Sequence, residues 1–284
     1  MITAVRTPDS VAAAVIHAAA GGRVMAGGTI VMAQVNHGTA AASELVSLRR
    51  AGVSGIAVEG THVSVGATTT LAEVEESTEL AFLHDAVRTI ASPTIRTLAT
   101  VGGNLFVPQP YGDLAVCLLA LDATVAVTGP DGDRTAPVAQ LRLDRGEIVT
   151  AVRFAVPAAG TWFYHKAMRR RLNSAAIVTV AAVVASLGGK SGTVETADTV
   201  ASLGDKSTVS VVTSARIALG GVAPRPVRAA SAETVLIGRP LETDALDEAG
   251  RAARADIDPF DDSYASAWYR RRVLPVHLRR AFTG

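Results

Sequence analysis

The chain has few of the residues that build covalent or metal-held sites. Cys117 is its only cysteine and lies within an apolar run, so the chain forms no internal disulfide and cannot by itself ligate an iron–sulfur cluster. We expect Cys117 to be a buried, small hydrophobic side chain. The six histidines include no pair at i, i+4 spacing and no carboxylate signature beside them. The sequence therefore predicts no metal site.

An excess of charge of one sign and long uncharged apolar runs are also absent. The net charge is +1, and the arginine triplets at positions 169–171 and 270–272 are the only basic clusters. We expect these triplets to meet a partner protein or to be solvated, and no nucleic-acid surface is predicted. Charges interrupt every apolar run before it reaches membrane-spanning length, and residues 1–10 lack the pattern of a secretory signal. These features predict a cytoplasmic protein without a membrane span.

Common catalytic motifs are missing as well. The chain contains no G-x-G-x-x-G fingerprint, no G-x-S-x-G elbow and no convincing pair of acid and base carboxylates. Gly189-Lys190-Ser191 resembles the end of a Walker A loop, but Val184 stands where its first glycine belongs. No catalytic side chain is predicted. This is the pattern expected when a cofactor carries the chemistry and the protein binds and orients it.

What the sequence does have is two short glycine segments far apart in the chain, Ala26-Gly27-Gly28-Thr29 and Thr100-Val101-Gly102-Gly103-Asn104. Each could be an ordinary turn, because glycine marks turns in general. Paired glycines also let backbone N–H groups approach a phosphate without a Cβ in the way, and threonine and asparagine add donors. Taken together, the two segments predict a two-part anion-binding cleft.

The second glycine segment is followed by an apolar run that begins at Asp113 and includes Cys117. Asp113 stands where an N-cap would stand, so its carboxylate is predicted to cap a helix. It could also accept a hydrogen bond from a ribose hydroxyl near a bound diphosphate. The two roles are compatible.

Turn and periodicity signals divide the chain near residues 157–160, where Pro157 and Gly160 separate two runs typical of strands. We expect residues 1–157 to form one domain, with lobes at about 1–55 and 56–157, and residues 160–284 to form a second, α+β domain. Three strands, over 162–168, 175–187 and 209–219, and three helices, over 229–237, 241–255 and 263–281, are predicted in the second domain. Pro275 is expected to kink or break the last helix. The segment 184–191 recurs at 200–207, which indicates a short duplicated insertion.

Five segments in order resemble one family, the FAD-binding medium subunits of the molybdenum hydroxylases, which include xanthine dehydrogenase and carbon monoxide dehydrogenase. They are the two glycine segments, Gly112-Asp113-Leu114 with the leucine-rich run after it, the segment from Tyr164 to Arg170, and the segment from Ala215 to Val222. The chain end from Tyr269 to Ala281 also fits. The resemblance covers nearly the whole chain. It implies a two-lobed FAD-binding domain of the PCMH type, followed by an α+β domain with a three-stranded antiparallel sheet and helices.

The resemblance also implies which residues bind FAD. The first glycine segment with its neighbours would wrap the diphosphate, and the second would close on it from the other lobe. Asp113 would take a ribose hydroxyl, Val149 would pack near a ring system, and Lys166 would lie near the flavin, although Val149 could be plain core and Lys166 could face solvent. The full set is Val24, Met25, Ala26, Gly27, Gly28, Thr29, Ile30, Val31, Thr100, Gly102, Gly103, Asn104, Asp113, Val149 and Lys166.

The resemblance further implies an oxidoreductase subunit that transfers electrons. A large subunit would hold molybdopterin, a small subunit would hold [2Fe-2S] clusters, and this chain would pass electrons from those clusters through FAD to an external acceptor. A dimer of heterotrimers is expected. The alternative is a stand-alone FAD-dependent oxidoreductase of the same flavin-binding superfamily. That alternative needs its own acid and base groups, which the sequence does not show.

Overall fold

Three β-sheets organise the computed structural model, which describes residues 2–170, 174–187 and 210–284. The first lobe is a small parallel sheet in the order β1-β3-β2, with two helices. Helix α1 begins after Ser10, whose hydroxyl accepts from the backbone N–H of Ala13, and packs Ala14 and Ala18 in a small core with Val46. The elements are β1 (Ala4–Arg6), α1 (Val11–Ala19), β2 (Arg23–Met25), α2 (Val31–Asn36) and β3 (Glu44–Ser47).

The second lobe is a five-stranded antiparallel sheet in the order β4-β5-β8-β6-β7. Alternate residues such as Val63, Val65, Val125 and Val127 are buried, as expected for a sheet with one face on a core. A tight turn at Gly60 joins β4 and β5 as a hairpin, with Glu59 opposite His62. The strands are β4 (Ile56–Glu59), β5 (His62–Gly66), β6 (Thr124–Gly129), β7 (Gly132–Pro137) and β8 (Ile148–Ala155).

Short helices cover the core face of this sheet. Residues 78–88 do not form one continuous helix: a 3₁₀ turn, Thr78–Leu83, is followed by the short helix α4 (His84–Arg88), because the backbone leaves helical geometry at Leu80. Further 3₁₀ turns are Leu48–Arg50, Val138–Gln140 and Ala253–Ala255. The helices are α3 (Leu71–Glu76), α4 (His84–Arg88), α5 (Pro93–Arg96), α6 (Val101–Asn104) and α7 (Asp113–Ala120).

Helix α7 is buried along its whole length and packs against both the second lobe and the C-terminal sheet. Cys117 is fully buried in it, as predicted. The prediction that Asp113 caps this helix is wrong. Gly112 is the N-cap and no side chain caps it, because Asp113 is the first helical residue and its carboxylate turns to the C-terminal domain.

The C-terminal sheet has four antiparallel strands in the order β12-β11-β10-β9, not the three that were predicted. The fourth strand is only two residues long and pairs with Ala218 and Leu219, so it is too short to produce a periodic signal. The strands are β9 (Trp162–Met168), β10 (Ala176–Leu187), β11 (Val211–Gly220) and β12 (Val227–Arg228). Most of the repeated segment 184–207 lies outside the described residues.

Three helices cover one face of this sheet: α8 (Ala230–Leu236), α9 (Thr243–Ala252) and α10 (Ala267–Thr283). Of the kink or break expected at Pro275, the break is wrong, since α10 continues through it. A proline leaves the carbonyl four residues earlier without its helical partner, and here Nε of Arg254 donates to that carbonyl, on Arg271, at 3.2 Å. Gly250 makes room for the ring, because a Cβ there would come within 2.7 Å of Pro275 Cα.

Fully buried Arg270 fixes the start of α10 to the sheet. Its Nη1 donates to the carbonyls of Ala176, Ile177 and Gly221, and its Nη2 donates to Asp262 at 2.6 Å. The first arginine of the predicted surface triplet 270–272 is therefore structural. None of the helices in the described parts of the chain combines the length and apolarity that a bilayer crossing needs.

Candidate functional site

A cavity of about 360 Å³ lies where the two lobes of the N-terminal domain meet. The first lobe contributes the end of β2 and the loop to α2, and the second lobe contributes α6, the segment after it and the start of β8. Its wall is formed by Arg23, Val24, Ala26–Val31, Gln34, Leu48, Ala67, Ala99, Thr100, Gly102, Gly103, Asn104, Phe106–Pro108, Leu143 and Glu147–Val149. Both glycine segments therefore face the same space.

The first glycine segment presents backbone donors to this cavity. Within the described parts of the chain, no protein group accepts a hydrogen bond from the N–H of Gly27, Gly28 or Thr29. Gly28 has a φ of +76°, in the left-handed region that favours glycine. The carbonyl of Gly28 accepts from the N–H of Met32, which turns the chain into α2. Consecutive free N–H groups in such a turn form a concave site for an anion.

Gly27 is where the two lobes touch most closely. A Cβ built on it would lie 1.7 Å from the carbonyl oxygen of Leu98 and 3.3 Å from Cα of Ala99. Any side chain there would force the loop away from the segment that leads into Thr100. The absence of a side chain at Gly27 is thus what lets the two glycine segments approach each other.

The second glycine segment forms the short helix α6, and its N–H groups already have acceptors. Thr100 is the N-cap, and its hydroxyl accepts from the N–H of Gly103 at 3.1 Å. The N–H of Gly102 donates to the carbonyl of Ala67 at 2.9 Å, and a Cβ on Gly102 would lie 2.8 Å from Cβ of Ala67. The side-chain oxygen of Asn104 accepts from the N–H of Ala115 in α7. This segment is a packed wall, and Thr100, Gly102, Gly103 and Asn104 line the cavity.

Two charged side chains line the cavity among the described residues. Arg23 on β2 contacts the side-chain oxygen of Gln34 and is partly exposed. Glu147 is held by Arg134 through two bonds of 2.6 Å, and this interaction lowers the pKa of the Glu147 carboxyl. Because Arg134 neutralises the charge of Glu147, the guanidinium of Arg23 gives the cavity a positive charge. The apolar side is formed by Ile148 and Val149, both buried.

Asp113 and Lys166 do not line the cavity. Both side chains are 2% exposed and form an ion pair of 2.8 Å from Lys166 Nζ to Asp113 Oδ2. The other carboxylate oxygen accepts from Thr179 at 2.6 Å, and Lys166 also donates to the carbonyl of Thr89. Burial raises the pKa of the Asp113 carboxyl, and the neighbouring ammonium of Lys166 opposes that rise. Next to the pair, burial raises the pKa of Tyr164, whose hydroxyl bonds to Thr89.

The structure therefore brings together most of the residues selected from sequence. Twelve of them line the cavity: Val24, Ala26, Gly27, Gly28, Thr29, Ile30, Val31, Thr100, Gly102, Gly103, Asn104 and Val149. Met25 ends β2 just outside the wall, with its sulfur beside Gly28. Asp113 and Lys166 form the buried pair between α7 and β9 instead.

Sequence reasoning missed Arg23, Gln34, Phe106 and Glu147 in the wall. Arg23 could have been found, because it directly precedes the selected run on a short strand that delivers the loop. Phe106 follows Asn104 by two residues and is half-exposed, an unusual place for a large aromatic side chain. Gln34 and Glu147 reach the cavity only through the tertiary fold, and no local signal marks them.

Comparison with protein-family models gives two matches that together span almost the whole chain. Residues 3–158 match the FAD binding domain in molybdopterin dehydrogenase, and residues 162–284 match the CO dehydrogenase flavoprotein C-terminal domain. The first match alone covers more than half of the chain.

Individual relatives agree with these matches. The chain is 32% identical over 271 residues to the carbon monoxide dehydrogenase medium chain of Afipia carboxidovorans, covering 91% of this chain and 87% of the relative. It is 27% identical to the nicotine 6-hydroxylase medium subunit of Paenarthrobacter nicotinovorans, covering 91% and 87%.

Solved structures show the same architecture. The structure of reconstituted CO dehydrogenase from Oligotropha carboxidovorans is similar with a TM-score of 0.87 at 31% identity, covering 100% of this chain and 96% of the other. CO dehydrogenase from Hydrogenophaga pseudoflava gives 0.86 at 27% identity, with the same coverage. The chain belongs to the family of FAD-binding medium subunits of the molybdenum hydroxylases, the oxidoreductases of the carbon monoxide and xanthine dehydrogenase type.

Proposed function

We propose that this chain is the electron-transfer subunit of a heteromeric molybdenum hydroxylase, that it holds FAD in the cleft between its lobes, and that it passes electrons from a small iron–sulfur subunit to an external acceptor. The observation that carries the proposal is the first glycine segment, which lines the cavity and whose N–H groups at Gly27, Gly28 and Thr29 have no acceptor among the described residues. Consecutive N–H groups that have no protein acceptor and line a cavity form a concave site suited to an anionic ligand.

The residues present fit the diphosphate of FAD. The N–H groups of Gly27, Gly28 and Thr29 would donate to phosphate oxygens, and the guanidinium of Arg23 would balance their charge. The second segment would close the site from the other lobe through Thr100, Gly102, Gly103 and Asn104, which line the cavity. When bound, the flavin supplies the capacity to accept and release electrons, which the side chains of this chain lack.

Val149 and the buried ion pair have different parts in this proposal. Val149 lines the cavity beside Ile148 and offers an apolar contact for a ring. Asp113 and Lys166 act as positioning residues. Their bond joins α7 to β9, and α7 is tied to the second glycine segment through the bond from Ala115 N–H to Asn104. The Asp113–Lys166 ion pair thereby fixes the position of the cavity wall relative to the C-terminal domain.

The proposed roles of the three subunits are inferred from the relatives of this chain. Several relatives that cover about nine tenths of this chain are named as medium chains or FAD-binding subunits, and this chain spans 87% of the length of the Afipia carboxidovorans relative. We propose a large molybdenum-pterin subunit and a small [2Fe-2S] subunit as partners in a dimer of heterotrimers. Cys117, the only cysteine, is buried in α7, so cluster ligands must come from another chain.

The proposal is tested by an anaerobic mixing experiment. The proposed small iron–sulfur subunit is reduced with dithionite, freed of excess reductant and mixed with the FAD-loaded chain. We expect the yellow flavin band to bleach at a rate that rises with the concentration of the reduced small subunit. The colour should return when an electron acceptor is added. A bound FAD that the reduced small subunit cannot bleach would contradict the electron-transfer role. FAD reduced by an organic substrate without any partner would favour a stand-alone flavoenzyme.

A further inference from the structure

The segment that leads into β8, residues 142–147, connects the wall of the cavity to the first lobe. Near its two ends, Leu143 and Glu147 line the cavity. Between them, Arg145 and Gly146 lie against the end of α1 in the first lobe. This bridging segment therefore contacts both the cavity and the lobe that carries the first glycine segment.

Arg134 on β7 holds the bridging segment in one conformation. Its Nε and Nη2 donate to the two oxygens of the Glu147 carboxylate at 2.6 Å each, and Nη2 also donates to the carbonyl of Arg142 at 2.6 Å. Glu147 in turn accepts from the N–H of Asp144 at 2.8 Å. Both ends of the segment are thus bonded to one guanidinium, and a two-bond contact of this kind fixes geometry as well as charge. The bridging segment is therefore held firmly to the second lobe.

Two contacts join the bridging segment to the end of α1. The first is a hydrogen bond of 2.9 Å from Nε of Arg145 to the carbonyl of Ala19, the last residue of the helix, where a cation is favourable. The second is the packing of buried Gly146, which has a φ of +87°. A Cβ on it would lie 2.9 Å from Cβ of Ala19 and 3.0 Å from Cγ of Pro130. The lobes approach this closely because position 146 has no side chain.

The residue after the bridging segment continues this interface between the lobes. Ile148 is 1% exposed, and it packs in the core of the first lobe with Ala14, Val15 and Val46. It also lines the cavity. The lobes are thus held together at this interface as well as at Gly27, and they cannot separate unless these contacts break.

We propose that Arg145 and Gly146 are positioning residues for FAD, because they hold the first lobe against the second and so slow the release of the cofactor. The inference rests on the proposed function, in which FAD lies between the lobes with its diphosphate on the first glycine segment. Neither residue is part of the cavity lining. Their loss should therefore shorten the lifetime of bound FAD rather than remove a contact to it, which is a change in the dissociation rate.

The release of FAD from the loaded full chain tests the hydrogen bond. The chain is diluted into an excess of apo-glucose oxidase, which becomes active as it captures free FAD. Arg145→Ala should raise the dissociation rate constant about fivefold, because one bond between the lobes is lost, and should change the association rate constant by less than about twofold. Arg145→Lys keeps a cation that can donate to the Ala19 carbonyl and should restore most of the slow release.

The matched control is Arg142→Ala, which removes the same charge from the same segment. Its side chain donates to the carbonyl of neighbouring Leu141 at 3.0 Å and forms no bond to the first lobe among the described residues. This variant should release FAD at the rate of the parent chain.

Gly146→Ala tests the packing contact independently. The added Cβ must push Ala19 away, so we expect FAD release to become at least about tenfold faster. The control is Gly132→Ala, at the start of β7, where φ is +110° and no atom of the described residues lies within 4 Å of the added Cβ. It carries backbone strain without a contact between the lobes, and it should release FAD as the parent chain does even if its melting temperature falls.

The outcomes separate this inference from the proposed function. Release at the parent rate from both Arg145→Ala and Gly146→Ala would overturn the inference and leave FAD binding intact. Release from Arg142→Ala or Gly132→Ala as fast as from the matching variant would overturn it as well. A parent chain that binds no FAD would refute the proposed function, and this inference with it.

Discussion

The two glycine segments look alike in the sequence and differ in the structure. The first, at residues 26–29, is a loop whose N–H groups at Gly27, Gly28 and Thr29 have no acceptor among the described residues. The second, at residues 100–104, is a helical turn in which the N–H groups of Gly102 and Gly103 already donate to Ala67 and Thr100.

The difference shows that glycine serves two purposes in one site. In the first segment it exposes backbone donors and permits a positive φ at Gly28. In the second it permits close packing, since Gly102 lies against Ala67, the residue after β5. Ligand affinity should therefore depend on the first segment, and the rigidity of the wall should depend on the second. The variants below separate these contributions.

Gly27→Ala should have the largest effect. Its Cβ would fall 1.7 Å from the carbonyl oxygen of Leu98, which is backbone and cannot rotate away. The two segments must separate, so we expect FAD affinity to fall by at least about a hundredfold and the unfolding free energy by about 1–3 kcal/mol. FAD titration and thermal melting of the purified variant measure both quantities.

The control is Gly38→Ala, at a φ of +70° with no atom within 4 Å of the added Cβ. It should cost about 1 kcal/mol of backbone strain and leave FAD affinity unchanged. A Gly27→Ala variant with the parent's FAD affinity would show that the lobes need not approach each other to bind the cofactor.

Gly102→Val should have the next largest effect, and mainly on the wall. A Cβ at this position would lie 2.8 Å from Cβ of Ala67 and 2.9 Å from its carbonyl oxygen. We expect a loss of about 1–3 kcal/mol in stability, loss of most bound FAD, and a retained circular dichroism spectrum. In Gly103→Ala the added Cβ meets only the side-chain oxygen of Thr100, so a smaller change should follow. Full FAD occupancy in Gly102→Val would mean that the second segment is only a turn.

Thr29→Ala and Thr100→Ala should have opposite effects: one should mainly lower FAD affinity and the other should mainly lower stability. The hydroxyl of Thr29 has no partner among the described residues, so its loss should weaken FAD binding several-fold and leave the melting temperature unchanged. The hydroxyl of Thr100 caps α6, so its loss should cost about 1 kcal/mol of stability with a smaller change in affinity. If both variants lowered stability equally and neither changed affinity, the two segments would be equivalent.

The smallest effect concerns pH and lies outside both segments, which contain no titratable side chain. His165 Nε2 and His277 Nδ1 are 3.1 Å apart between β9 and α10. Burial lowers the pKa of both, and that of His277 falls from 6.5 to about 4 with the help of His165 and Arg280. The folded state thus binds fewer protons than the unfolded state, so stability should decrease as the pH falls from about 6.5 toward 4.

Melting temperatures across this range test the histidine pair. The double variant His165→Gln/His277→Gln removes both titrating groups and should lose part of the acid sensitivity of the parent chain. A parent chain whose melting temperature is the same at both ends of the range would contradict the expected pH dependence.

Local patterns predicted the longer elements of this fold and much of the cleft lining. Strands β9, β10 and β11 alternate or run apolar over seven or more residues, so their positions were predictable. Strand β12 has two residues, and α10 passes Pro275 because distant Arg254 satisfies the freed carbonyl. Such features depend on tertiary partners that no local window contains.

The prediction of site residues was limited in the same way, because the local sequence does not contain their tertiary partners. The two glycine segments could be recognised in the sequence, because the close approach of two backbones and the exposure of N–H donors both require glycine itself. Asp113 carried a capping signal, but the carboxylate is bonded to Lys166 and Thr179, which lie 53 and 66 residues further along the chain. Glu147 likewise reaches the cavity only because Arg134 holds it. Charged side chains were hard to place because their partners come from other elements.

The most direct test of the central claim is a titration of the flavin-free chain with FAD, FMN and riboflavin. We expect FAD to bind at least about a hundredfold more tightly than FMN, because the first glycine segment would hold a diphosphate, and we expect Gly27→Ala to abolish this preference. FMN or riboflavin binding as tightly as FAD, with the preference unaffected by Gly27→Ala, would contradict the account.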